Sequence, residues 1–374
     1  MPRLWGEVLT REALLQRVGD ISQVARVRAA DLADGTERGV RALEVCTGSG
    51  FAFTVLPDRG MDISTAAFNG RALAWRSATG DAHPAYFQSE AEGGRGWLRQ
   101  FYGGLVVTCG LTWAGANDVD GGQLYGLHGR VSNLPASNVS WDGLWSGDKY
   151  EMTIRGRVRQ STVFGENLEM TRTIRAALGE SRLVIHDDVT NLGSQPGEHM
   201  HLYHINIGWP ALAPGGRLIS PTLSATPRDD EAAIGKAEFA QFDEPSAGYR
   251  EKVYFHTMAP LADGRCAAAV ANPAAGSGSG GYGLGVYCRW RPEQLPRFTE
   301  WKMLDAGTYV VGMEPANCSV LGRPQERRDG TLAVLQPGQT VQYEVEIGVL
   351  DGADEIAALE AECREAVSRS TVGA

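Results

Sequence analysis

The sequence has neither a long hydrophobic run nor an excess of positive charge. No stretch approaches the roughly 18 consecutive apolar residues of a membrane span, and residues 1–6 lack an apolar secretory core. The 35 Lys and Arg against 45 Asp and Glu give a net charge of −10, so the basic surface that nucleic-acid binding requires is missing. We therefore expect a cytoplasmic protein that binds neither a membrane nor a nucleic acid.

Closely spaced cysteines are also missing. The six cysteines are scattered along the chain without a Cys-x-x-Cys pair, which disfavours a zinc ribbon and a small disulfide scaffold. We expect them to be reduced and mostly buried. They are Cys46, Cys109, Cys266, Cys288, Cys318 and Cys363.

No Pro-rich or Ser-rich linker is long enough to divide the chain, and no repeat of fixed period is present. The glycine-rich segment 273–283 is read as a flexible loop. We expect residues 1–374 to form a single domain that acts on a small molecule. A homo-oligomer is left open.

Glycine, by contrast, is abundant, with 47 residues in 374, nearly twice the usual share of about 7%. Together with recurring apolar and polar alternation, this abundance predicts many tight turns between short strands. We expect roughly fifteen or more strands, as in a large sandwich. The clearest strand-like segments are 24–29, 39–45, 51–56, 150–158, 168–176, 182–189, 253–255, 267–270, 284–290, 309–313 and 341–349.

Helical spacing of apolar residues occurs at the two ends of the chain. Segments 10–18 and 354–367 carry apolar residues three and four apart and are predicted to be peripheral helices. Helices do not alternate with the strands between them, which disfavours βαβ units and a parallel sheet. The sequence therefore predicts an all-β fold, a large antiparallel sandwich over residues 24–350.

Three of the seven histidines lie in one segment, at 198–210, which is read as a strand. Because side chains alternate along a strand, His204 and Asn206 share one face and His199 and His201 the other. His204 and Asn206 then form a polar pair at the end of an apolar face, where a proton donor beside a hydrogen-bonding group is useful in catalysis. For His199 and His201 we favour a structural role, as edge or solvent-facing residues.

Two turns carry further polar residues. His128 and Arg130 lie among glycines, which let the backbone approach a ligand closely; a simple turn is the alternative. Arg59 and Asp62 close the first group of strands, and they either pair across the turn or leave Arg59 facing a ligand.

A carboxylate ends a late apolar strand. Glu314 follows 310–313 and precedes Pro315, a position where burial raises the pKa of a carboxyl group toward the range of a general base. A solvated strand end is the alternative. Upstream, Trp301 and Lys302 supply a flat aromatic ring and a cation, a pair suited to stacking on a sugar and bonding its oxygens.

These segments, in this order, resemble the aldose 1-epimerase (galactose mutarotase-like) superfamily, and more closely a bacterial aldose 1-epimerase-like branch. The turn at 57–63 with the hairpin at 69–73 is similar to the family's early strand and turn. Leu127-His128-Gly129 is similar to its Leu-His-Gly, His204 and Asn206 to its second histidine and following Asn, and Met313-Glu314 to its late Leu-Glu. The likeness covers roughly residues 24–350.

The resemblance implies a β-supersandwich that binds a sugar, aldose or acidic, on its concave face and inverts its anomeric centre. Glu314 would take the proton of the anomeric hydroxyl while His204 protonates the ring oxygen, and no metal or organic cofactor would be needed. His128 would complete the catalytic group. The substrate-binding residues would be Arg59, Asp62, Arg130, Asn206, Trp301, Lys302 and Asn317.

Three other functions stay open at this point. An isomerase, epimerase or eliminating enzyme acting on a keto-sugar would use Glu314 to abstract a C–H proton. A non-catalytic sugar-binding protein would hold Glu314 in a salt bridge instead of a desolvated site. A metal-dependent variant would recruit His199 and His201 with a carboxylate.

Overall fold

The computed structural model describes residues 1–276 and 282–372, so residues 277–281 of the expected 273–283 loop lie outside it. The described part contains 24 strands. In chain order they are β1 (Arg3–Leu4), β2 (Glu7–Val8), β3 (Arg26–Asp31), β4 (Arg41–Cys46), β5 (Phe51–Leu56), β6 (Asp62–Phe68), β7 (Arg71–Ala72), β8 (Val107–Leu111), β9 (Asp118–Asp120), β10 (Gln123–Tyr125), β11 (Ser137–Ser146), β12 (Lys149–Ser161), β13 (Asn167–Ala177), β14 (Arg182–Asn191), β15 (Gly197–Ile207), β16 (Arg217–Ile219), β17 (Thr222–Pro227), β18 (Lys252–Met258), β19 (Cys266–Asn272), β20 (Leu284–Trp290), β21 (Arg297–Asp305), β22 (Thr308–Ala316), β23 (Ala333–Leu335) and β24 (Thr340–Asp351).

Three large antiparallel sheets form the body of the protein. The first has eight strands in the order β11-β12-β13-β14-β24-β20-β19-β16. The second has the order β17-β18-β21-β22-β15-β23, and β8 also pairs with β15. The third is the meander β3-β4-β5-β6-β7. This arrangement confirms the predicted all-β antiparallel sandwich, and its 24 strands agree with the roughly fifteen or more that were expected.

The sheets pack through the faces that the alternating sequence makes apolar. Along β12 and β13 nearly every second residue is buried, as expected when one face of a sheet covers the core. One continuous cluster of buried side chains draws on all three sheets, with Phe53 from the third, Ile185 from the first and Ile205 from the second. Burying each such side chain contributes about 1.5–3 kcal/mol.

Five α-helices lie outside the sheets in the described residues: α1 (Arg11–Leu15), α2 (Ala91–Gly94), α3 (Asp230–Ile234), α4 (Arg323–Arg328) and α5 (Ala353–Val372). Helix α1 is shorter than the predicted 10–18, and it begins after Thr10, whose hydroxyl accepts a hydrogen bond from the Ala13 N–H at 3.1 Å. Helix α5 is longer than the predicted 354–367 and buries Ile356, Leu359 and Cys363. No helix of the described residues is long and apolar enough to cross a membrane.

All six cysteines are free thiols, and five of them are buried. Cys46 is the exception, with intermediate exposure. Burial raises the pKa of Cys288 well above its ordinary value, which favours the protonated, unreactive form. The cysteines therefore contribute packing and not cross-links.

A fully buried ionic cluster connects the three sheets. Arg172 of β13 donates to Asp187 of β14 from Nε at 2.8 Å and from Nη2 at 2.7 Å, and to Asp62 of β6 from Nη1 at 2.7 Å. Tyr203 of β15 donates its hydroxyl to Asp187 at 2.6 Å. Thr108 of β8 donates to Asp62 at 2.5 Å. Every sheet thus contributes at least one member.

The two carboxylates of this cluster respond differently to burial. Burial opposes ionisation of Asp187, but the Arg172 charge and its two hydrogen bonds hold the pKa of Asp187 below its ordinary value. Asp62 receives a single bond from Arg172, and burial raises the pKa of Asp62 to about 6. Asp187 therefore stays ionised to a lower pH than Asp62 does.

Removing Asp187 should destabilise the protein strongly. Asp187→Ala leaves the Arg172 guanidinium buried with one carboxylate, a change that typically costs about 3–5 kcal/mol. Chemical denaturation of the variant measures this loss in the free energy of unfolding. The control is Glu365→Ala, which removes an exposed ion pair with Arg369 and should cost less than about 0.5 kcal/mol. Similar losses for both variants would contradict this role of the cluster.

Candidate active site

His204 and Glu314 meet on the face of the second sheet that is turned away from the core. Their strands, β15 and β22, are antiparallel neighbours, with Ile205 opposite Met313 in the register. His204 Nε2 lies 3.2 Å from Glu314 Oε1. Both side chains line a cavity of about 470 Å³, and His128 and Trp301 line it too. Four of the ten residues predicted from the sequence therefore lie at one site.

Burial controls the protonation of this pair. Burial, reinforced by the Glu251 charge, raises the pKa of Glu314 to about 8. Burial together with the nearby His128 lowers the pKa of His204 to about 3. Near neutral pH the pair accordingly holds one proton, which rests on the Glu314 carboxyl and faces the neutral imidazole. Glu314 makes no salt bridge with Arg or Lys among the described residues, unlike the expectation for a non-catalytic sugar-binding protein.

Glycine at position 312 makes room for the pair. A Cβ added to Gly312 would lie 3.0 Å from both Glu314 Oε1 and His204 Cε1, closer than nearly all real Cβ contacts. Gly312 stands opposite Asn206 in β15 and opposite Trp301 in β21. The absent side chain therefore leaves the space in which Glu314, His204 and Trp301 converge.

Aromatic rings form the walls of the cavity. Phe101 lies 5.2 Å and Trp301 5.3 Å from the His204 ring, between centroids. Trp97 stacks on Phe101 at 4.2 Å, and Trp75 meets the Trp301 ring edge to face at 6.4 Å. Such flat apolar surfaces beside a few polar groups are typical of small-molecule sites.

His128 reaches the cavity from a turn between β10 and β11. Its φ of 57° lies in the left-handed region, which costs a residue other than glycine about 1 kcal/mol or more. Its backbone N–H donates to the Gly115 carbonyl at 2.8 Å, and the Gly110 N–H donates to the His128 carbonyl at 3.2 Å. The His128 ring lies 5.5 Å from that of His204, and burial lowers the pKa of His128 to about 4.

A charged group stands at the rim of the cavity. Glu251 accepts a hydrogen bond from Trp301 Nε1 at 2.8 Å and forms an ion pair with Arg228 at 2.8 Å. Arg228 also pairs with Asp229 at 2.9 Å. Arg95, exposed at the same rim, forms no ion pair within residues 1–276 and 282–372. The rim therefore combines a fixed aromatic ring with one available cation.

The turn at 57–63 does not contribute to the site, contrary to our expectation. Arg59 is buried and donates to the carbonyl oxygens of Ser132, Ala82 and Gln100 at 2.7 to 2.9 Å. Asp62 belongs to the ionic cluster around Arg172. Because both side chains are fully used inside the protein, we do not retain Arg59 and Asp62 as substrate-binding residues.

Four more predicted binding residues lie outside the cavity lining: Arg130, Lys302, Asn206 and Asn317. Arg130 pairs with Glu90. Lys302 Nζ donates to two backbone carbonyls, of Glu238 at 2.8 Å and Gln241 at 2.5 Å. A strand end or a turn does not specify which way a long side chain points, so the sequence could not distinguish these cations from ligand-facing ones.

The two asparagines predicted to bind substrate also serve the backbone. Asn206 Nδ2 donates to the Gly104 and His204 carbonyls at 3.1 and 3.0 Å. Asn317 accepts from the His201 N–H at 2.7 Å. Both amides therefore support the strand that carries His204, and neither lines the cavity.

His199 and His201 lie on the core side of β15. His199 Nδ1 lies 2.8 Å from the Leu111 carbonyl and its Nε2 lies 3.0 Å from the Tyr343 hydroxyl. The His201 ring stacks on Tyr343 at 4.7 Å. No group of three or more metal-ligating side chains occurs in the described part of the chain. Their role is structural, as favoured from the sequence, but both side chains are buried and not at an edge or facing solvent as expected.

Most residues of the cavity walls and rim were not predicted from the sequence. These residues are Trp75, Arg95, Trp97, Phe101, Arg228 and Glu251. Trp97 and Phe101 stand four residues apart in a glycine-rich segment without strand alternation, and such aromatic residues in a loop are a usable signal. Arg228 and Glu251 carried no comparable pattern.

Comparison with known proteins places this fold in a class. A candidate aldose 1-epimerase from Klebsiella pneumoniae subsp. pneumoniae is similar, with 28% identity, coverage of 91% of this chain and 87% of that one, and a TM-score of 0.85. Two further structures share the fold: a galactose mutarotase-like protein from Clostridium acetobutylicum (11% identity, 88% and 99% coverage, TM-score 0.57) and a galactose 1-epimerase from Lactobacillus acidophilus (10% identity, 88% and 100%, 0.54). The fold is therefore that of the galactose mutarotase-like proteins.

Within that class, the chain can be assigned to one family. Residues 37–349 match the family described as Domain of unknown function (DUF4432), and the chain belongs to this family. A comparison with curated proteins gave no significant match. The resemblance noted in the sequence is thus confirmed at the level of the superfamily.

Replacing Glu314 should stabilise the protein at alkaline pH. The unfolded chain loses the Glu314 proton near the ordinary pKa of 4.5, and the folded protein keeps it to about 8. Between these values the unfolded state binds fewer protons, so the free energy of unfolding falls as pH rises. Glu314→Gln avoids this loss and should be more stable than wild type by at least about 1 kcal/mol at pH 8.

Thermal unfolding of wild type and Glu314→Gln at pH 5 and pH 8 measures the difference. The advantage of the variant should shrink toward pH 5. Glu44→Gln, at an exposed position of β4, is the matched control and should show no such trend. A pH-independent difference for Glu314→Gln would contradict the desolvated state of this carboxyl group.

Proposed function

We propose that this protein is an epimerase that interconverts the anomers of a sugar by opening its ring. The observation that carries the proposal is the contact between the buried Glu314 carboxyl and the His204 imidazole, 3.2 Å apart in a cavity with aromatic walls. The names of the Klebsiella and Lactobacillus proteins, an aldose 1-epimerase candidate and a galactose 1-epimerase, agree with it.

The pair supplies both proton transfers of the reaction. When the proton lies on His204, the Glu314 carboxylate accepts the proton of the anomeric hydroxyl and the imidazolium donates to the ring oxygen, as the bond between the anomeric carbon and that oxygen breaks. The open sugar then carries an aldehyde and a new hydroxyl. Glu314 is now protonated and His204 neutral.

Rotation about the bond next to the aldehyde exposes its other face. Reclosure runs the same transfers backward, with His204 taking the proton of the hydroxyl and Glu314 returning its proton to the aldehyde oxygen. The neutral pair favoured by burial is the form that closes the ring. A base with a pKa near 8 is well matched to neutral pH, and each positioned acid or base typically contributes about 10²–10⁴-fold.

The other cavity residues would hold the sugar. The rings of Trp75, Trp97 and Trp301 offer flat faces for its C–H surfaces, and neutral His128 can bond one hydroxyl. Arg95 is the cation we propose to contact an acidic substituent where the sugar carries one. The free cysteines agree with a cytoplasmic location.

Substitution of the pair tests the mechanism. Glu314→Gln keeps the shape of the side chain but cannot accept a proton near neutral pH, so turnover should fall at least ~10²-fold while sugar affinity changes little. His204→Gln should act similarly. Saturation-transfer NMR on a panel of aldoses, uronic acids and keto-sugars measures the exchange between anomers.

The double variant Glu314→Gln/His204→Gln provides the internal control. Because both residues serve one proton-transfer cycle, its loss should be close to that of either single variant. Full exchange by Glu314→Gln on a sugar that the wild type turns over would show that the base is another residue.

The value of kcat/KM should begin to fall when the pH exceeds the pKa of Glu314. Above pH about 8 the pair loses its one proton, and kcat/KM should then fall roughly tenfold per pH unit. Glu251→Gln keeps an acceptor for Trp301 but removes a charge that raises the pKa of Glu314. In that variant the alkaline fall should therefore begin at lower pH. If the fall of kcat/KM in Glu251→Gln began at the same pH as in wild type or at a higher pH, the electrostatic role of Glu251 would be contradicted.

A further inference from the structure

A second cavity, of about 500 Å³, adjoins the second sheet next to the first cavity and is also lined by Cys266 and Trp290 of the first sheet. Strands β17, β18 and β21 supply its floor through Thr226, Phe255 and Thr299. It is as large as the cavity around His204 and Glu314, and the anomeric chemistry proposed above makes no use of it.

One row of side chains runs across the sheet from the first cavity to the second. Thr299 stands directly opposite Glu314, Phe255 opposite Thr299, and Thr226 opposite Phe255 in the strand register. Directly opposed residues of antiparallel strands lie about 4.5–5.5 Å apart on the same face. Starting at Glu314, the row therefore passes straight into the second cavity.

A second structural element runs along both cavities. In the segment after β22, Ser319 and Leu321 line the second cavity and the intervening Val320 lines the first. Similarly, Val253 of β18 lines the first cavity and Phe255, two residues further, the second. Neighbouring residues of one strand and of one segment thus line the two cavities, and Thr299 of the second cavity stands next to Glu314 of the first.

The lining of the second cavity suits a polyhydroxylated ring. Thr226, Thr257 and Thr299 supply hydroxyl groups, Phe255 supplies an apolar face, and Arg297 and Asp329 supply one charge of each sign. Hydroxyls and opposite charges bond sugar oxygens as donors and acceptors. Arg297 also pairs with Glu326, and Asp329 accepts a hydrogen bond from Gln325.

We propose that the second cavity is a subsite for a second sugar ring, so that the preferred substrate is a reducing disaccharide or longer oligosaccharide. Its reducing-end ring lies between Glu314 and His204, and the next ring lies over Thr299 and Phe255. This assignment rests on the proposed epimerase function, because that function fixes which ring is the reducing end.

Kinetics on matched sugars tests the subsite. Maltose, lactose and cellobiose share a glucose reducing end, and further disaccharides ending in galactose or mannose complete the panel. For at least one of them, kcat/KM of anomer exchange should exceed that of the corresponding monosaccharide by about tenfold or more. Thr257→Arg, at an exposed position that lines only the second cavity, should abolish this advantage and leave exchange of the monosaccharide intact.

Thr162→Arg is the control, because Thr162 is an exposed threonine that lines neither cavity. It should retain the preference for the disaccharide. The subsite is overturned if every monosaccharide is exchanged as well as its disaccharide, or if Thr257→Arg lowers both rates equally.

Calorimetry separates failure of the subsite from failure of the epimerase function. If no sugar of the panel shows exchange but wild type binds a disaccharide at least about tenfold more tightly than its monosaccharide, and Thr257→Arg removes that difference, the subsite stands and the epimerase function does not. Exchange of monosaccharides without any gain in rate or affinity for disaccharides would overturn the subsite and leave the epimerase function standing.

Discussion

The buried Arg172 guanidinium is the group on which the placement of the site depends. It bonds Asp187 of its own sheet and Asp62 of the meander, and Asp187 in turn accepts the hydroxyl of Tyr203 in β15. With Tyr203 held on the core side, the next residue, His204, must point to the opposite face. A slip of β15 by one residue would exchange the two side chains and leave the ionic cluster incomplete.

The same constraint explains why Glu314 and His204 can be so poorly solvated. A fixed β15 places His204 against β22, where Gly312 leaves space and Glu314 completes the contact. The cost of an uncharged, buried carboxyl group is offset elsewhere by the large core of the three sheets. The buried carboxyl group of Glu314 is destabilising, and the protein tolerates it because the scaffold behind it is stable. This combination is common at functional sites.

The sequence predicted the strands well because alternation is a local signal, and it predicted His204 and Glu314 because a polar group that ends an apolar strand is costly without a function. It could not predict the fate of Arg59 or Lys302, since the carbonyl groups that bind them come from distant segments. Trp97 and Phe101 escaped notice for a related reason: they lie in a loop, and only the folded chain brings them to His204. Local patterns thus indicated the sheet and its polar ends, and long-range contacts decided which of those ends form the site.

The central claim is that Glu314 and His204 move only O–H protons of the sugar. The most direct measurement is anomer exchange by the wild-type protein in D₂O, followed by NMR with the carbon-bound hydrogens of the sugar observed at the same time. The account predicts accelerated exchange between anomers with every carbon-bound hydrogen retained. Incorporation of deuterium at carbon would contradict it and assign Glu314 to abstraction of a C–H proton, the chemistry of a keto-sugar isomerase.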